Sequence, residues 1–216
     1  MTDKPTIAII AQGGMGAACA ARLRDNGVRV VTSLEGRSEA SAKRAKAAGM
    51  IAVSDAEIAA ADFVLSIVPP NEALPLALRL LPALAAANSK PVYADCNAVS
   101  PDTVKEIARV IEPTGAPFVD GGIIGGPPRA GYGGPIFYYS GAADTGIERL
   151  NEYGLVFRPV AGPVGAASAL KMSYGGITKG LTAVGSAMIL AATRAGIAEA
   201  LHAELAASQP NLMTYF

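Results

Sequence analysis

The sequence predicts an α/β fold in which a doubly wound, mostly parallel sheet is followed by a long helix and the start of an all-α domain. Short apolar runs alternate with longer helix-like runs between residues 6 and about 112, which is typical of a parallel sheet with crossover helices. A glycine-rich turn ends the first apolar run, and turn signals almost disappear after residue 163. We therefore expect two domains, at 1–163 and 164–216.

The individual elements follow from the apolar runs and from their capping residues. Ser38 and the pair Ser100-Pro101 are typical helix starts, and Asn26-Gly27 is typical of a helix end. The predicted strands are 6–10, 28–32, 63–68, 92–95, 117–120, 135–140 and 155–159. The predicted helices are 15–26, 38–48, 55–61, 71–87, 101–112 and 145–153, followed by one long helix at 164–207.

The long helix contains several glycines, and each costs about 1 kcal/mol relative to alanine in a helix interior. Close approach of another helix or backbone would offset this cost. We therefore expect the helix to be buried at a domain junction or a subunit interface. The glycines are Gly175, Gly176, Gly180 and Gly185.

The composition excludes several classes of protein. The chain has 216 residues, of which 51% are hydrophobic, with 18 basic and 18 acidic side chains. This predicts a folded core, and zero net charge provides no attraction to nucleic acid or to an anionic membrane surface. Residues 1–5 lack the charged region and long apolar run of a signal peptide, so we expect none, and the longest uncharged helical stretch, 180–193, is shorter than the ~20 residues of a membrane span. Cys19 and Cys96 have neither disulfide nor metal spacing, so we expect a soluble, cytoplasmic protein without a metal site.

The first strand leads into a turn with a partial dinucleotide-binding fingerprint. The pattern G-x-G-x-x-G needs glycine at 11, 13 and 16, and the chain has Ala11, Gly13 and Gly16. Glycine lets a pyrophosphate approach the N-terminus of the next helix, whose free amides bind the anion. The alternative is a glycine-rich turn without a ligand. Its place in the first βα unit favours a Rossmann-type dinucleotide-binding domain at 1–163.

The segment after the second strand contains both residue types that distinguish NAD from NADP. An acid there binds the ribose hydroxyls of NAD, whereas an arginine beside small hydroxyl-bearing residues accommodates the 2′-phosphate of NADP. Glu35 is of the first type, and Arg37-Ser38, at the start of the next helix, is of the second. We favour NADP over NAD. Otherwise, Arg37 is a solvated charge beside Glu35.

Five landmarks, in order, resemble the β-hydroxyacid dehydrogenases, which include 3-hydroxyisobutyrate and 6-phosphogluconate dehydrogenases. The resemblance covers residues 6 to about 195. It implies an NAD(P)-dependent oxidoreductase that transfers hydride between nicotinamide and a small hydroxyacid, carbonyl or imine. The landmarks are Gly13-Gly14-Met15-Gly16, Ile67-Val68-Pro69-Pro70, Asp95-Cys96-Asn97-Ala98, Asp120-Gly121-Gly122-Ile123-Ile124-Gly125-Gly126, and Gly165 followed by Lys171.

The resemblance also implies a role for each landmark. Gly125 and Gly126 would offer backbone amides to a substrate carboxylate. Lys171 would exchange a proton with the substrate hydroxyl, because a partly desolvated lysine can act as acid or base near neutrality. Alternatively, Lys171 lies on a helix surface. The implied cofactor contacts are Ala11, Gln12, Gly13, Gly14, Met15, Gly16, Arg37, Ser38, Val68, Pro69, Pro70 and Asn97.

The chain departs from the family at two substrate-contacting positions. Ile124 replaces the serine before the glycine pair, and Gly175 replaces the asparagine four residues after Lys171. The substrate pocket is therefore expected to be more apolar than one for a small hydroxyacid or a sugar phosphate. Tyr174, at i+3 from Lys171, is a further candidate substrate residue and is otherwise part of the core. Lys179 is a weaker alternative base.

Family members carry a helical domain after the long helix, which closes the active site and often forms a dimer by exchanging helices. Here only its first elements, to about residue 207, precede the end of the chain, so the sequence resembles a C-terminally shortened member. If these residues are the whole protein, either a homodimer through 164–207 completes the site for a small-molecule substrate or catalysis has been lost. If they are a fragment, the missing part of the domain lies downstream. The alternatives are a non-catalytic NAD(P)-binding module and an imine-reductase-like enzyme, which the apolar Ile124 favours.

Overall fold

The computed structural model describes residues 4–10 and 12–215. The chain divides into two compact units, Met1–Lys171 and Met172–Phe216, and the division falls within one helix. The first unit contains an eight-stranded sheet with the order β3-β2-β1-β4-β5-β6-β7-β8. The strands from β3 to β6 are parallel to one another, β7 is antiparallel to β6, and β8 is parallel to β7. The predicted doubly wound, mostly parallel sheet is confirmed.

The elements occur in the predicted alternation. The strands are β1 (Thr6–Ile10), β2 (Arg29–Thr32), β3 (Ile51–Ala52), β4 (Phe63–Ser66), β5 (Val92–Asp95), β6 (Phe118–Ile124), β7 (Ile136–Gly141) and β8 (Val156–Pro159). The α-helices are α1 (Gly14–Asp25), α2 (Glu39–Ala47), α3 (Asp55–Ala59), α4 (Ala73–Ala86), α5 (Pro101–Ile111), α6 (Ala166–Arg194) and α7 (Ala198–Ser208). Short 3₁₀ helices lie at Pro70–Glu72, Glu112–Thr114, Ile147–Tyr153 and Leu212–Thr214.

Two apolar layers cover the two faces of the sheet. Because alternate residues of a strand point to opposite faces, Ile7 and Ile9 belong to one layer, while Ala8 and Ile10 belong to the other. The first layer includes residues of α1 and α2, and the second includes residues of α3, α4 and α5. The central strands β1, β4, β5 and β6 are therefore buried on both sides, which leaves the loops at their ends to carry function.

The structure corrects several predicted elements in the first unit. The strand β3 was not predicted, because it has only two residues, Ile51 and Ala52, and both are exposed. The strand β6 extends to Ile124 instead of ending at 120, since its glycines pair with β7. The predicted α-helix at 145–153 is a 3₁₀ helix, Ile147–Tyr153.

The expectation of one helix over 164–207 is wrong. The helix α6 ends at Arg194, and α7 begins at Ala198. Gly196 adopts a φ of +73° between them, and its N–H donates to the carbonyl of Thr193 at 3.1 Å. A left-handed glycine of this kind stops a helix, and it was the single turn signal in the segment.

Among the residues that the structure describes, α6 alone is long and apolar enough to cross a membrane by length and composition. Its uncharged part is shorter than the helix, because Lys171 and Lys179 lie within it. Helices of soluble proteins pass the same test, so this property is weak evidence for a membrane span.

Candidate active site

A crevice for a ligand is expected where the strand order reverses. The central strand β1 lies between β2 and β4, and the chain proceeds outwards from β1 in one direction and from β4 in the other. In open α/β sheets, ligands bind beyond the carboxyl ends of the strands at such a switch point. The loops after β1, β4, β5 and β6 meet at this edge.

The glycine-rich turn after β1 has room above it. Gly13 is extended, with φ −75° and ψ −179°, and α1 begins at Gly14. A Cβ on either residue would meet no described atom within 4 Å, so packing within the chain does not require glycine there. Because Gly13 and Gly14 carry no side chain and have open space around them, a pyrophosphate has room to approach the protein backbone closely. Gly16 lies on the buried face of α1, and Ala11 lies outside the described residues.

The N-terminus of α1 suits an anion. In the described residues no side chain caps this helix and its first turn contains no acidic residue. Met15 lies half-buried in that first turn. The first amides of a helix have no partner within the helix and carry its positive dipole end, so they fit a phosphate group.

The side chain of Gln12 braces the start of this turn. It is buried, and its Nε2 donates to Thr32 Oγ1 at 2.6 Å and to the carbonyl of Ser33 at 2.9 Å. Thr32 Oγ1 in turn donates to the carbonyl of Ile9 at 2.7 Å. These bonds tie the ends of β1 and β2 together. The predicted cofactor contact of Gln12 stays a prediction.

The hydroxyls of Ser38 and Ser41 and the guanidinium of Arg44 lie together at the start of α2. Ser38 caps the helix as predicted, its Oγ accepting from the Ser41 amide at 3.3 Å. Ser41 Oγ accepts from Arg44 Nη2 at 3.1 Å, and Arg44 Nε donates to the carbonyl of Gln12 at 2.6 Å. Arg37 is half-buried in the preceding turn. Sequence reasoning missed Ser41 and Arg44, although both follow Ser38 at intervals of three residues on α2.

Asn97 fixes the loop after β4. It is only 2% exposed, and its Oδ1 accepts from the Val68 amide at 2.6 Å. Its Nδ2 donates to Ser66 Oγ and to Asp95 Oδ2, both at 2.8 Å. The side chain is thus occupied by protein partners and holds Val68 in place. Pro69 and Pro70, which follow in the loop, are exposed.

Asp95 lies at the carboxyl end of β5 and is buried. Burial raises the pKa of its carboxyl from an ordinary 3.8 to about 6, and the neighbouring charge of Asp120 acts in the same direction. The hydrogen bonds from the amide and side chain of Asn97 lower the pKa, as does the positive charge of Lys171. Asp95, Asp120 and Lys171 therefore form one electrostatic group at this edge.

The raised pKa of Asp95 predicts a pH-dependent stability. The folded state holds the Asp95 proton more tightly than the unfolded chain, so the stabilisation is complete below about pH 4 and is lost as pH rises to about 6. A shift of this size corresponds to about 3 kcal/mol. We expect urea unfolding of the wild type to lose this stability between pH 4 and 6 relative to Asp95→Asn. Parallel pH curves for the two proteins would contradict the assignment.

Asp120 joins β6 to the start of α6. Its Oδ2 accepts from the Gly165 amide at 2.8 Å, the Ser168 amide at 3.1 Å and Ser140 Oγ at 2.9 Å. Its Oδ1 accepts from Ser168 Oγ at 2.6 Å. Ser140 Oγ also accepts from the Ala167 amide at 3.0 Å. The first amides of α6 are therefore capped by side chains from the sheet, a network that sequence reasoning did not anticipate.

Lys171 is half-buried in the second turn of α6 and faces β6 at its base. A Cβ on Gly122 would lie 3.2 Å from Lys171 Cβ and 2.9 Å from the carbonyl of Ala167. The charge of Lys171 lowers the pKa values of both Asp95 and Cys96. The predicted catalytic lysine therefore lies near the ends of β5 and β6.

The predicted substrate loop begins at the same edge. The strand β6 ends at Ile124, which is half-buried, and Gly125 follows with φ +121°. With this φ, and with a Cβ on Gly125 placed 3.0 Å from Pro135 Cα and 2.8 Å from Tyr132 Oη, the loop itself requires glycine there. Gly126 is exposed and has no described atom within 4 Å of an added Cβ.

Two further predicted substrate residues belong to the other unit. Tyr174 and Gly175 lie on the part of α6 that falls in Met172–Phe216. Their predicted roles stay predictions.

Comparison with known proteins identifies the family of this fold. The model of the NAD-binding domain of 6-phosphogluconate dehydrogenase matches residues 6–166. An uncharacterised 28.5 kDa protein of Methanothermus fervidus is 31% identical over 176 residues, which are 81% of this chain and 66% of that protein. The chain thus matches slightly less than two thirds of this curated relative.

Solved structures share the fold over nearly the whole chain. A conserved protein of unknown function, described as structurally similar to 3-hydroxyacid dehydrogenases, is 33% identical, with a TM-score of 0.78, over 95% of this chain and 77% of that one. The imine reductase of Myxococcus stipitatus in complex with NADP⁺ is 23% identical, with a TM-score of 0.77, over 97% and 74%. A variant of that reductase is in complex with NAD⁺. The fold is that of soluble dehydrogenases.

Proposed function

Because the chain belongs to the family of the NAD-binding domain of 6-phosphogluconate dehydrogenase, within the β-hydroxyacid dehydrogenase superfamily, we propose that it is an NADP-dependent oxidoreductase acting on a small hydroxyacid, carbonyl or imine. The observation that carries the proposal is that two features lie at the carboxyl edge of the same parallel strands, within one unit. An uncapped helix start with open glycines at 13 and 14 lies after β1, and Lys171 lies near the ends of β5 and β6. When bound, the nicotinamide ring supplies or accepts a hydride.

We assign the cofactor to the crevice at the ends of β1 and β4. The amides of Gly13, Gly14 and Met15 would bind the pyrophosphate, with Gly16 allowing α1 to pack on the sheet. Val68 is held by Asn97 so that Pro69 and Pro70 can line the cofactor. Asn97 acts through this loop, since its own polar atoms already have protein partners.

Lys171 would hold the proton that the substrate oxygen or nitrogen gains or loses. An ammonium group beside a developing alkoxide both donates a proton and stabilises the charge. The buried carboxylate of Asp95 lies close enough to Lys171 for their charges to interact, so it favours the protonated lysine before reduction. Gly125 and Gly126 would present backbone amides to the substrate. The half-buried Ile124 favours substrates with an apolar group, and this supports imines as a second substrate class.

The NADP preference is supported by the cluster at the start of α2. The 2′-phosphate would bind between Arg37 and the hydroxyls of Ser38 and Ser41, with Arg44 holding Ser41 in place. A guanidinium and hydroxyls at a helix N-terminus favour a phosphate over a free ribose hydroxyl.

Arg37→Ala is expected to weaken NADPH binding about 10- to 100-fold and to leave NADH binding nearly unchanged, since a hydrogen bond to a charged group contributes about 1.5–3 kcal/mol. Fluorescence titration of both cofactors measures the two dissociation constants. Lys43→Ala, which removes an exposed charge from α2, is the matched control. An equal loss for NADPH and NADH would contradict the phosphate assignment.

The activity itself is tested by cofactor titration followed by substrate panels. We expect tight NADPH binding and oxidation or reduction with at least one member of a panel of hydroxyacids, ketoacids, amines and cyclic imines. Tight binding without turnover of any compound would contradict the enzyme assignment and leave a nucleotide-binding module.

We further propose a homodimer through the helical region 164–207. Within Met172–Phe216, Ile177 and Val184 are seven residues apart on one face of α6, and each is 64% exposed. A Cβ on Gly175, Gly176 or Gly180 would meet no described atom within 4 Å, so these glycines leave room for a second helix.

The double substitution Ile177→Glu with Val184→Glu is expected to convert a dimer into a monomer, because it places charges in an apolar interface. Size-exclusion chromatography with light scattering over a range of concentrations measures the mass. Leu78→Glu, at an exposed apolar residue of α4, is the control and should leave the mass unchanged. A monomeric wild type at every concentration would exclude the dimer.

A further inference from the structure

We infer that Asp120 and Gly122 are positioning residues. Together they hold the first turn of α6 against β6, and they thereby determine the position of Lys171. This inference rests on the proposed function only for its effect on turnover. Its structural content concerns one unit, Met1–Lys171, and can be measured on Lys171 directly.

Asp120 caps the start of α6. A helix start usually draws its cap from the residue just before it. Here the acceptor is Asp120, which lies 45 residues before Gly165 and 48 before Ser168, and it takes hydrogen bonds from both amides. Ser168 Oγ occupies its second oxygen at 2.6 Å. Since Asp120 is buried within β6, the start of α6 is held by the sheet itself.

Ser140, a neutral residue of β7, links Asp120 to the start of α6. Ser140 lies opposite Asp120 in the β6–β7 register and donates to its carboxylate at 2.9 Å. The same hydroxyl accepts from the Ala167 amide at 3.0 Å. Three amides at the first turn of α6, those of Gly165, Ala167 and Ser168, are therefore bonded to side chains of β6 and β7. Rotation or sliding of α6 would break bonds to both strands at once.

The strand β6 and the helix α6 lie close together at Gly122. A Cβ on Gly122 would lie 2.9 Å from the Ala167 carbonyl oxygen, a backbone atom, and 3.2 Å from Lys171 Cβ. Real Cβ atoms do not tolerate the first of these distances, so alanine at 122 would push α6 away from β6. Glycine at this position is thus required by the placement of α6, since Gly122 lacks the left-handed φ that marks other glycines.

These contacts determine the position of Lys171, because it lies one turn beyond the hydrogen-bonded amides at the start of α6. Charged and titratable groups near this region include Asp95 and Cys96 on the β5 side, Asp120 on β6, and Lys105, whose Cε would lie 3.2 Å from a Cβ on Gly165. A displacement of α6 would move the Lys171 amine relative to these groups and relative to the substrate. Displacement of a catalytic group by about 1 Å can cost about 10²-fold in rate.

The test uses the full chain and two neutral substitutions, Gly122→Ala and Ser140→Ala, which shift or loosen α6 without changing charge. The control is Ser54→Ala, which removes the side-chain cap of α3 and so a comparable local stabilisation far from Lys171. The readout is the pH dependence of acetylation of Lys171 by acetic anhydride, quantified by mass spectrometry against Lys43 in the same sample. Melting temperatures of all variants are recorded alongside.

We expect both neutral variants to change the relative acetylation of Lys171 by about threefold or more and to shift its pH midpoint, a change of about 0.7 kcal/mol. Ser54→Ala should lower the melting temperature without this change. Asp120→Asn should act in the same direction as Ser140→Ala and more strongly, if it folds. Unchanged Lys171 reactivity in variants that are destabilised would overturn the inference and leave a purely structural anchor.

Activity separates this inference from the proposed function. If the wild type turns over a substrate, Gly122→Ala should lower kcat by about 10²-fold with little change in the NADPH dissociation constant. If no substrate is found, the proposed function fails, whereas the acetylation result still decides whether Asp120 and Gly122 position Lys171.

Discussion

Lys171→Ala is expected to lower kcat by about 10³-fold, because a positioned general acid or base contributes about 10²- to 10⁴-fold. The NADPH dissociation constant should change less than about threefold, which corresponds to under about 0.7 kcal/mol. Lys171 lies near the ends of β5 and β6, which are two and three strands away from β1 and its glycine-rich turn, so its loss removes proton transfer and spares the phosphate contacts. Steady-state kinetics and fluorescence titration provide the two numbers.

Lys179→Ala is the matched control, since Lys179 is an exposed lysine of the same helix and the alternative base suggested by the sequence. We expect it to retain activity. Full turnover in Lys171→Ala would exclude the assigned role. Loss of turnover in Lys179→Ala alone would transfer the role to that residue. Equal loss of cofactor affinity and turnover in Lys171→Ala would indicate a folding defect, which its melting temperature would reveal.

Asn97→Leu is expected to destabilise the fold by about 3–5 kcal/mol, because it removes the side-chain hydrogen bond to one oxygen of the buried Asp95 carboxylate and leaves the buried Val68 amide without its side-chain acceptor. Leucine has nearly the same size, but it cannot donate to Asp95 or Ser66 or accept from the Val68 amide. Removal of these donors should raise the pKa of Asp95 further, so the loss should be larger at pH 8 than at pH 5. Urea unfolding at both pH values measures this.

The control is Asn71→Leu, which replaces an exposed asparagine and should change stability by no more than about 0.5 kcal/mol. Where Asn97→Leu still folds, NADPH binding should weaken as well, since the Val68 amide is no longer held. A loss of stability that is equal at pH 5 and pH 8 would show that the pKa of Asp95 does not depend on the side chain of Asn97.

Much of the sheet could be predicted because its signals are local. The strands β1 and β5 have the predicted bounds, since each is a buried apolar run with polar or glycine residues at its end. The edge strand β3 could not be predicted in this way, because it is only two residues long and both are exposed, although they lie in the short apolar run Met50-Ile51-Ala52-Val53. The break at Gly196 was visible as a single glycine, but its left-handed φ depends on how the chain leaves α6.

The site was predictable as far as its groups are close in sequence. The turn at 11–16 and the cap at Ser38 are read within a few residues. The network of Asp120 joins residues 45 and 48 positions apart, and only the β6–β7 register brings Ser140 beside it. The same applies to Asn97, whose partner Val68 lies 29 residues away. Side chains that act by bridging distant elements carry no short-range signature.

The two outer strands of the sheet also limit how copies of this chain can associate. The edge strand β3 has two residues, and the opposite edge, β8, ends at Pro159, which has no N–H to donate. A neighbouring chain that approached either border would find few backbone groups with which to extend the sheet. Such short, interrupted borders protect a protein with this much β-structure against fibril-like stacking during expression and storage.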